Sequence, residues 1–319
     1  MNKKVVLIII FNHNYTGNLD TLENMYRNRF ENIFYLIPFY TGTKENVIPV
    51  YGSSHNFQGF VAQSTNSIFK EEYHHYLYIA DDLILNPLIN ENNYDSFFML
   101  NKQDSFIPEF FPLNNIKTEK ILALGSIRQA TSNIGNDGVF FWAHTQKAIN
   151  YCLRKDGLEI TDHLPSYEIA IQQFNNHNID IHPLSHADIA GVEPELWEQH
   201  ARYCLDYPLV AGYSDIFIIS AETIKDFSHI CGAFFATDLF VELAIPTALI
   251  LTSNNIVTET NLNNKGQVYW PFRHEDRKKY ETDVLKHQFN LKDFLQEFPA
   301  GKLYMHPVKL SKWSMPDSD

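Results

Sequence analysis

The sequence predicts an α/β protein with a mainly parallel sheet flanked by helices, and three observations carry that prediction. KVVLIIIF (residues 4–11) is an unbroken apolar run, the pattern of a strand buried on both faces. Further apolar runs follow at NIFYLIPFY (32–40), VIPVYG (47–52) and YLYIADDLIL (76–85). Between them lie segments with helical spacing and short connections, so strand and helix alternate.

Taken in order, the polar loop NHNYTGN follows the first strand. Leu19, Leu22, Met25, Tyr26 and Phe30 then recur as one helical face, and Asp20 with Glu23 offers a capping pattern at its start. A polar-faced helix is expected over 57–72. From about 88 to 150 the pattern loosens into Asn-, Pro- and Phe-rich stretches, which predicts a loop-rich insertion. Regularity returns with a helix at 166–177 and a short strand at IDIHPL (179–184). A helix from about 194 leads to the strand GYSDIFIIS (212–220), and Ser220 is placed to cap a helix over 221–230. ATDLFVELAIPTALILTS (236–253) reads as a helix running into a strand or a second buried helix. A charged helix at 274–288 and a closing strand, KLYMHPVKL (302–310), complete the chain. With no repeat and no clear linker, residues 1–319 are expected to form one domain.

Composition narrows the function. Acidic residues outnumber basic ones by 38 to 25 in 319 residues, leaving a net charge of −13 and no cation excess for a general nucleic-acid binder. Cys152, Cys204 and Cys231 are odd in number and far apart, which suits buried thiols in a reducing cytoplasm better than a disulfide framework. MNKKVVLIIIF has only seven apolar residues between its lysines and Asn12, so it reads as a first strand and not as a signal peptide. LFVELAIPTALIL (239–251) is interrupted by Glu242 and Pro246 and is too short to cross a bilayer, so no transmembrane segment is expected.

The chemistry concentrates at Asp81-Asp82. In an open α/β sheet ligands bind beyond the carboxyl ends of the parallel strands, which puts these acids beside the loop Asn12–Asn18. Paired carboxylates there suit Mg²⁺ or Mn²⁺; the bland alternative is a strand-ending turn with solvated acids. His182 and His186 are four apart, but Pro183 and the preceding β-like residues argue for a loop, and HExxH is absent. So are GxGxxG, a Walker loop and GxSxG.

YLYIADDLIL resembles the aspartate motif of GT-A-fold nucleotide-sugar glycosyltransferases, including the exostosin-like ones, with Ala80 in place of a first acid. LYMHPVKLSKW (303–313) is similar to the closing strand of several GT-A families, which carries a His followed by a Lys and a Trp. The resemblance implies a GT-A-like, Rossmann-type fold with a nucleotide-binding half at about 1–87 and an acceptor half at about 151–319. It implies that Asp82 and His306 hold Mn²⁺ or Mg²⁺, that Lys309 or Lys312 contacts the diphosphate, and that Asp81 faces the ribose or a second metal position. Asn12 and Tyr15 would meet the nucleotide, Asp215 would lie at the acceptor edge, and Asp238 or Glu242 would be the general base. The implied reaction moves a sugar from a UDP-sugar to a glycan or glycolipid acceptor in bacterial surface-polysaccharide synthesis. The implied location is cytoplasmic, with room for peripheral membrane association. A sugar-1-phosphate nucleotidyltransferase and a non-catalytic nucleotide- or glycan-binding domain are the alternatives; the first lacks its Gly-rich, Arg-containing loop after strand one.

Overall fold

In the computed structural model, residues 5–112, 163–179, 207–270 and 273–313 are described. Seven strands form the central sheet: β1 (Val5–Ile10), β2 (Ile33–Pro38), β3 (Val47–Val50), β4 (His75–Ala80), β6 (Asp104–Phe106), β9 (Ile216–Ser220) and β10 (Asn255–Val257). Their order is β10-β6-β9-β4-β1-β2-β3. The β1–β2, β1–β4, β2–β3 and β6–β10 pairs are parallel, and β9 alone runs against its neighbours β4 and β6. The α/β expectation is met. Every residue of β1, β4 and β9 is buried, as continuous apolar runs require when a sheet is covered on both faces.

Helices α1 (Leu19–Tyr26), α2 (Phe57–Ile68), α3 (Tyr94–Phe97), α4 (Tyr167–Asn176), α5 (Ile224–Ala236) and α6 (Val241–Thr252) pack around this sheet; α5 lies on α2 and α6, and α6 on α4. Gly59 permits the α2–α5 contact, because a Cβ there would sit 2.3 Å from the Phe235 ring. Nearly all of α6 is buried, consistent with a sequence that is apolar all round. Gly212 ends β8 (Val210–Gly212), which pairs with β7 (Phe110–Pro112); a Cβ on it would meet the Glu109 carbonyl oxygen at 2.4 Å.

A second sheet orders β11 (Lys265–Val268), β12 (Lys302–His306) and β5 (Ile84–Leu85), with β12 parallel to β11 and antiparallel to β5. Two further helices, α7 (His274–Asp283) and α8 (Leu291–Gln296), lie between β11 and β12 in the chain. This small sheet ties the end of the chain to the segment after the acid pair.

Several expected boundaries move. The loop-rich insertion does not begin at 88, because β6 is a strand of the central sheet and α3 precedes it. Asp20 and Glu23 do not cap α1; its N-cap is Asn18, and both acids face Lys44 instead. Ser220 ends β9 and donates to the Lys102 carbonyl oxygen at 2.9 Å, while α5 starts three residues later than expected with Thr223 as its N-cap. The strand expected over 212–220 divides into β8 and β9, because Tyr213 to Asp215 turn between them. The charged helix stops at Asp283 and the closing strand at His306. Cys231 is a buried free thiol. Cys152, Cys204, His182, His186, all but the first residue of the strand expected at 179–184, the helix expected from 194 and most of the expected insertion lie outside the described residues. Among the described residues, no helix is long and apolar enough to cross a membrane.

Candidate functional site

Register brings the acids and the first loop to one edge. Ile10 pairs with Ala80, so the chain leaves β1 and β4 side by side, and Asp81 N–H donates to the Ile10 carbonyl oxygen at 2.8 Å. Leu83 N–H then reaches back to the Ala80 carbonyl oxygen at 3.1 Å. Asp81 and Asp82 are therefore the two central residues of a tight turn, and the apparent single strand 76–85 is two strands, β4 and β5. Because β9 is reversed, the residue before it arrives at the same edge: Asp215 accepts from Ala80 N–H at 2.8 Å through its carbonyl.

Both turn carboxylates are almost fully buried, so each needs partners. Asn12 supplies them from β1. Its backbone N–H and its Nδ2 each donate to Asp81 Oδ1 at 3.1 Å, and Nδ2 lies 3.4 Å from Asp82 Oδ1. The end of β12 supplies the rest. His306 Nε2 lies 3.1 Å from Asp82 Oδ1, Lys309 Nζ pairs with Asp82 Oδ2, and Val308 N–H donates to the Asp82 carbonyl oxygen at 2.7 Å. His306 Nδ1 faces Asp215 Oδ2 at 3.9 Å. Residues 224 and 227 positions apart in sequence thus share one carboxylate.

The electrostatics follow from this arrangement. Burial alone would raise the Asp82 pKa, but His306 and Lys309 outweigh it and hold the carboxyl well below its ordinary range. Burial opposes charge on His306 too, yet Asp215 and Asp82 together keep its pKa above normal. For Lys309, burial is outweighed by Asp82 and the pKa rises. Among the described residues Asp81 has no cation in contact: burial, then the neighbouring Asp82 charge, push it up to about 6.

Beside this cluster lies a cavity of about 200 Å³ lined by Asn12, Asp215, Glu242, His306 and the rings of Phe57, Phe240 and Trp270, with Ser54, His55, Ser214 and Val241 completing the wall. Glu242 sits in the first turn of α6. Burial, then repulsion from Asp215 and Glu109, raise it to about 8. Burial, less the pull of His306, raises Asp215 as well.

The structure therefore joins Asn12, Asp81, Asp82, Asp215, Glu242, His306 and Lys309. It leaves three expected residues apart. Asp238 is not on a helix with Glu242: it is exposed in the α5–α6 turn with φ +57°, and Phe240 is the N-cap of α6. Lys312 is exposed in a 3₁₀ turn beyond the cluster, and Tyr15 is 48% exposed on the loop after β1. Neither is among the cavity-lining residues. Ser54, His55, Phe57, Phe240 and Trp270 carried no signal in the sequence; they are isolated positions that only the tertiary fold gathers.

For a metal ion, two donors converge. Asp82 Oδ1 and His306 Nε2 are 3.1 Å apart, the separation of two adjacent ligands on an octahedral ion with bonds of about 2.1 Å. Carboxylate with imidazole suits Mn²⁺ in particular. Among the described residues no group of three or more His, Cys, Asp or Glu side chains is placed to hold a metal ion, so an ion at this pair would need its other ligands from outside the protein. Comparison with protein-family models, curated proteins and solved structures gives no match for the chain.

Proposed function

We propose that this chain is a metal-dependent glycosyltransferase of GT-A type, moving a sugar from a UDP-sugar to a glycan or glycolipid acceptor in surface-polysaccharide synthesis. The observation that carries the reading is the convergence of Asp82, His306 and Lys309 at the carboxyl ends of a mainly parallel sheet, beside a sugar-sized cavity.

Asn12 fixes both turn carboxylates, so Asp82 presents its oxygens in one orientation. Asp82 and His306 would hold Mn²⁺ or Mg²⁺, which when bound supplies Lewis-acid neutralisation of the departing diphosphate. The Lys309 side chain is 61% exposed, so its ammonium can turn from Asp82 to a phosphate oxygen as a mobile point charge. Asp81 closes the floor beside the ribose. On the acceptor side, Glu242 has the position and the raised pKa of a general base that removes a hydroxyl proton near neutral pH, with Asp215 beside it. Asp238 is the weaker candidate for that role, being outside the cavity lining.

UDP release from a panel of UDP-sugars, with and without Mn²⁺, tests the reading. Metal-stimulated release that disappears in Asp82→Ala and His306→Ala is expected. Nucleotide formation from a sugar 1-phosphate and UTP would instead identify a nucleotidyltransferase.

A further inference from the structure

Two exposed aromatic rings lie beside the site without belonging to it. Phe39 and Tyr51 directly follow β2 and β3, and each is 57% exposed. Their rings meet edge to face with centroids 5.7 Å apart. Phe39 has φ +53°, a left-handed backbone that is unfavourable for a bulky residue. The fold holds it there from both sides: Phe39 N–H donates to the Val50 carbonyl oxygen at 2.9 Å, and Asn14 Nδ2 donates to the Phe39 carbonyl oxygen at 3.0 Å. The ring so placed is not part of the core. Strain maintained to present a solvent-facing ring points to use by a ligand.

The pair continues the cavity wall. Ser54, His55 and Phe57 line the cavity, and Ser54 is three residues after Tyr51, at most about 10 Å of chain. Gln63 of α2 accepts from Tyr51 N–H at 2.8 Å and donates to the Tyr51 carbonyl oxygen at 2.9 Å. Tyr51 is therefore fixed to the helix that Phe57 begins. Tyr15, the other exposed ring of this edge, faces a different neighbour: the turn Thr16–Asn18 after it packs against Leu310–Lys312, next to Lys309. Tyr15 thus goes with the diphosphate side of the site, and Phe39 with Tyr51 goes with the cavity.

The cavity volume of about 200 Å³ equals about seven waters at ~30 Å³ each, enough for one sugar ring. A longer chain must leave the cavity, and exposed aromatic faces suit the apolar C–H faces of its pyranoses. We infer that Phe39 and Tyr51 bind the second and third units of an oligosaccharide whose end sugar enters the cavity, so that the acceptor is a glycan chain and not a single sugar. The inference rests on the glycosyl-transfer reading for calling that chain the acceptor; the binding surface stands without it.

Saturation-transfer NMR titrations on the full chain test it, using maltotetraose, cellotetraose and lacto-N-neotetraose. Each is compared with the methyl glycoside of its non-reducing-end sugar. At least one tetrasaccharide is expected to bind at least about tenfold more tightly than its single sugar. Phe39→Asn, which suits a left-handed backbone and removes the ring, is expected to bring that ratio within about threefold, and Tyr51→Ala likewise. Thermal melts identify a folding failure in either variant, and the other then carries the test. No tetrasaccharide binding, no tetrasaccharide advantage, an unchanged ratio in a folded variant, or failure of both variants to fold would each overturn the inference. So would a UDP affinity in Mn²⁺ that falls about tenfold in Phe39→Asn, because the nucleotide would then occupy the rings. UDP titration of the wild type reports on the transferase reading alone: absent UDP binding with the chain preference intact removes that reading and leaves the glycan surface standing.

Discussion

At the end of β4, Asp82 is surrounded by His306, Lys309 and Asn12; across the same site, at the start of α6, Glu242 shares a cavity wall with Asp215 and aromatic rings and has no cation in contact among the described residues. Both are carboxylates withdrawn from water, yet one is held ionised and the other is driven toward its protonated form. Burial acts on the two alike, so the difference lies in what the fold brings up to them. The β12 end compensates Asp82 fully, whereas on Glu242 the pull of His306 is outweighed by burial and by Asp215 and Glu109. A site divided in this way can stabilise a diphosphate on its cationic side and handle protons and hydroxyls on its acidic side.

The comparison breaks most visibly through Asp82. Asp82→Ala is expected to lower metal-stimulated UDP release at least about 100-fold, the scale of losing a ligand and its charge at a metal-assisted centre, and initial rates at saturating Mn²⁺ check it. Lys309→Ala should have a smaller effect, about tenfold, seen mainly as weaker donor binding, because an exposed ammonium contributes attraction more than position. Steady-state KM against kcat separates the two.

The pH responses of the two walls differ in sign. His306 Nε2 must lose its proton to ligate a metal, and its pKa is raised, so Mn²⁺ affinity should increase as pH rises from about 6 to 8. Asp82, held low, does not compete for protons in that window. Calorimetric Mn²⁺ titrations at several pH values, with proton release measured by changing the buffer, test this; a pH-independent affinity would contradict it. On the other wall, Glu242 has a raised folded pKa, so its contribution to stability is complete below an unfolded value near 4.5 and is lost as pH rises through about 8. Glu242→Gln should therefore gain on the wild type as pH rises, with Tm about 2–4 °C higher at pH 8.5 and little different at pH 4.5. Thermal melts across that range provide the check.

How much of this was legible in the sequence depended on where the signal resided. β1 and β4 are long apolar runs, and runs of that kind survive any tertiary context. The acid pair and His306 were readable because each interrupts or ends such a run. Glu242 was readable for the same reason, as an acid among Phe240, Val241, Leu243 and Ala244. The three-residue strands β6 and β10 were not: they are too short for periodicity, and they join the central sheet only through pairing with each other and with β9. Asp238 was misplaced because a left-handed residue between two helices leaves no mark distinguishing it from an N-cap, and Asp serves in both places. The cavity rings Phe57, Phe240 and Trp270 come from three separate stretches of chain, so no local pattern could have assembled them. Ala80, which looked like a missing acid, is the buried last residue of β4 and accepts the hydrogen bond that closes the Asp81-Asp82 turn.

The most direct test of the central claim is a UDP binding titration of wild type and Asp82→Ala, each with and without Mn²⁺. If Asp82 joins His306 in holding an ion against the diphosphate, the substitution weakens UDP binding when Mn²⁺ is present. Without metal it leaves binding unchanged or tightens it, because a repelling carboxylate has gone. Equal UDP binding by the two proteins in Mn²⁺, or loss of binding by the variant regardless of metal, would contradict the account.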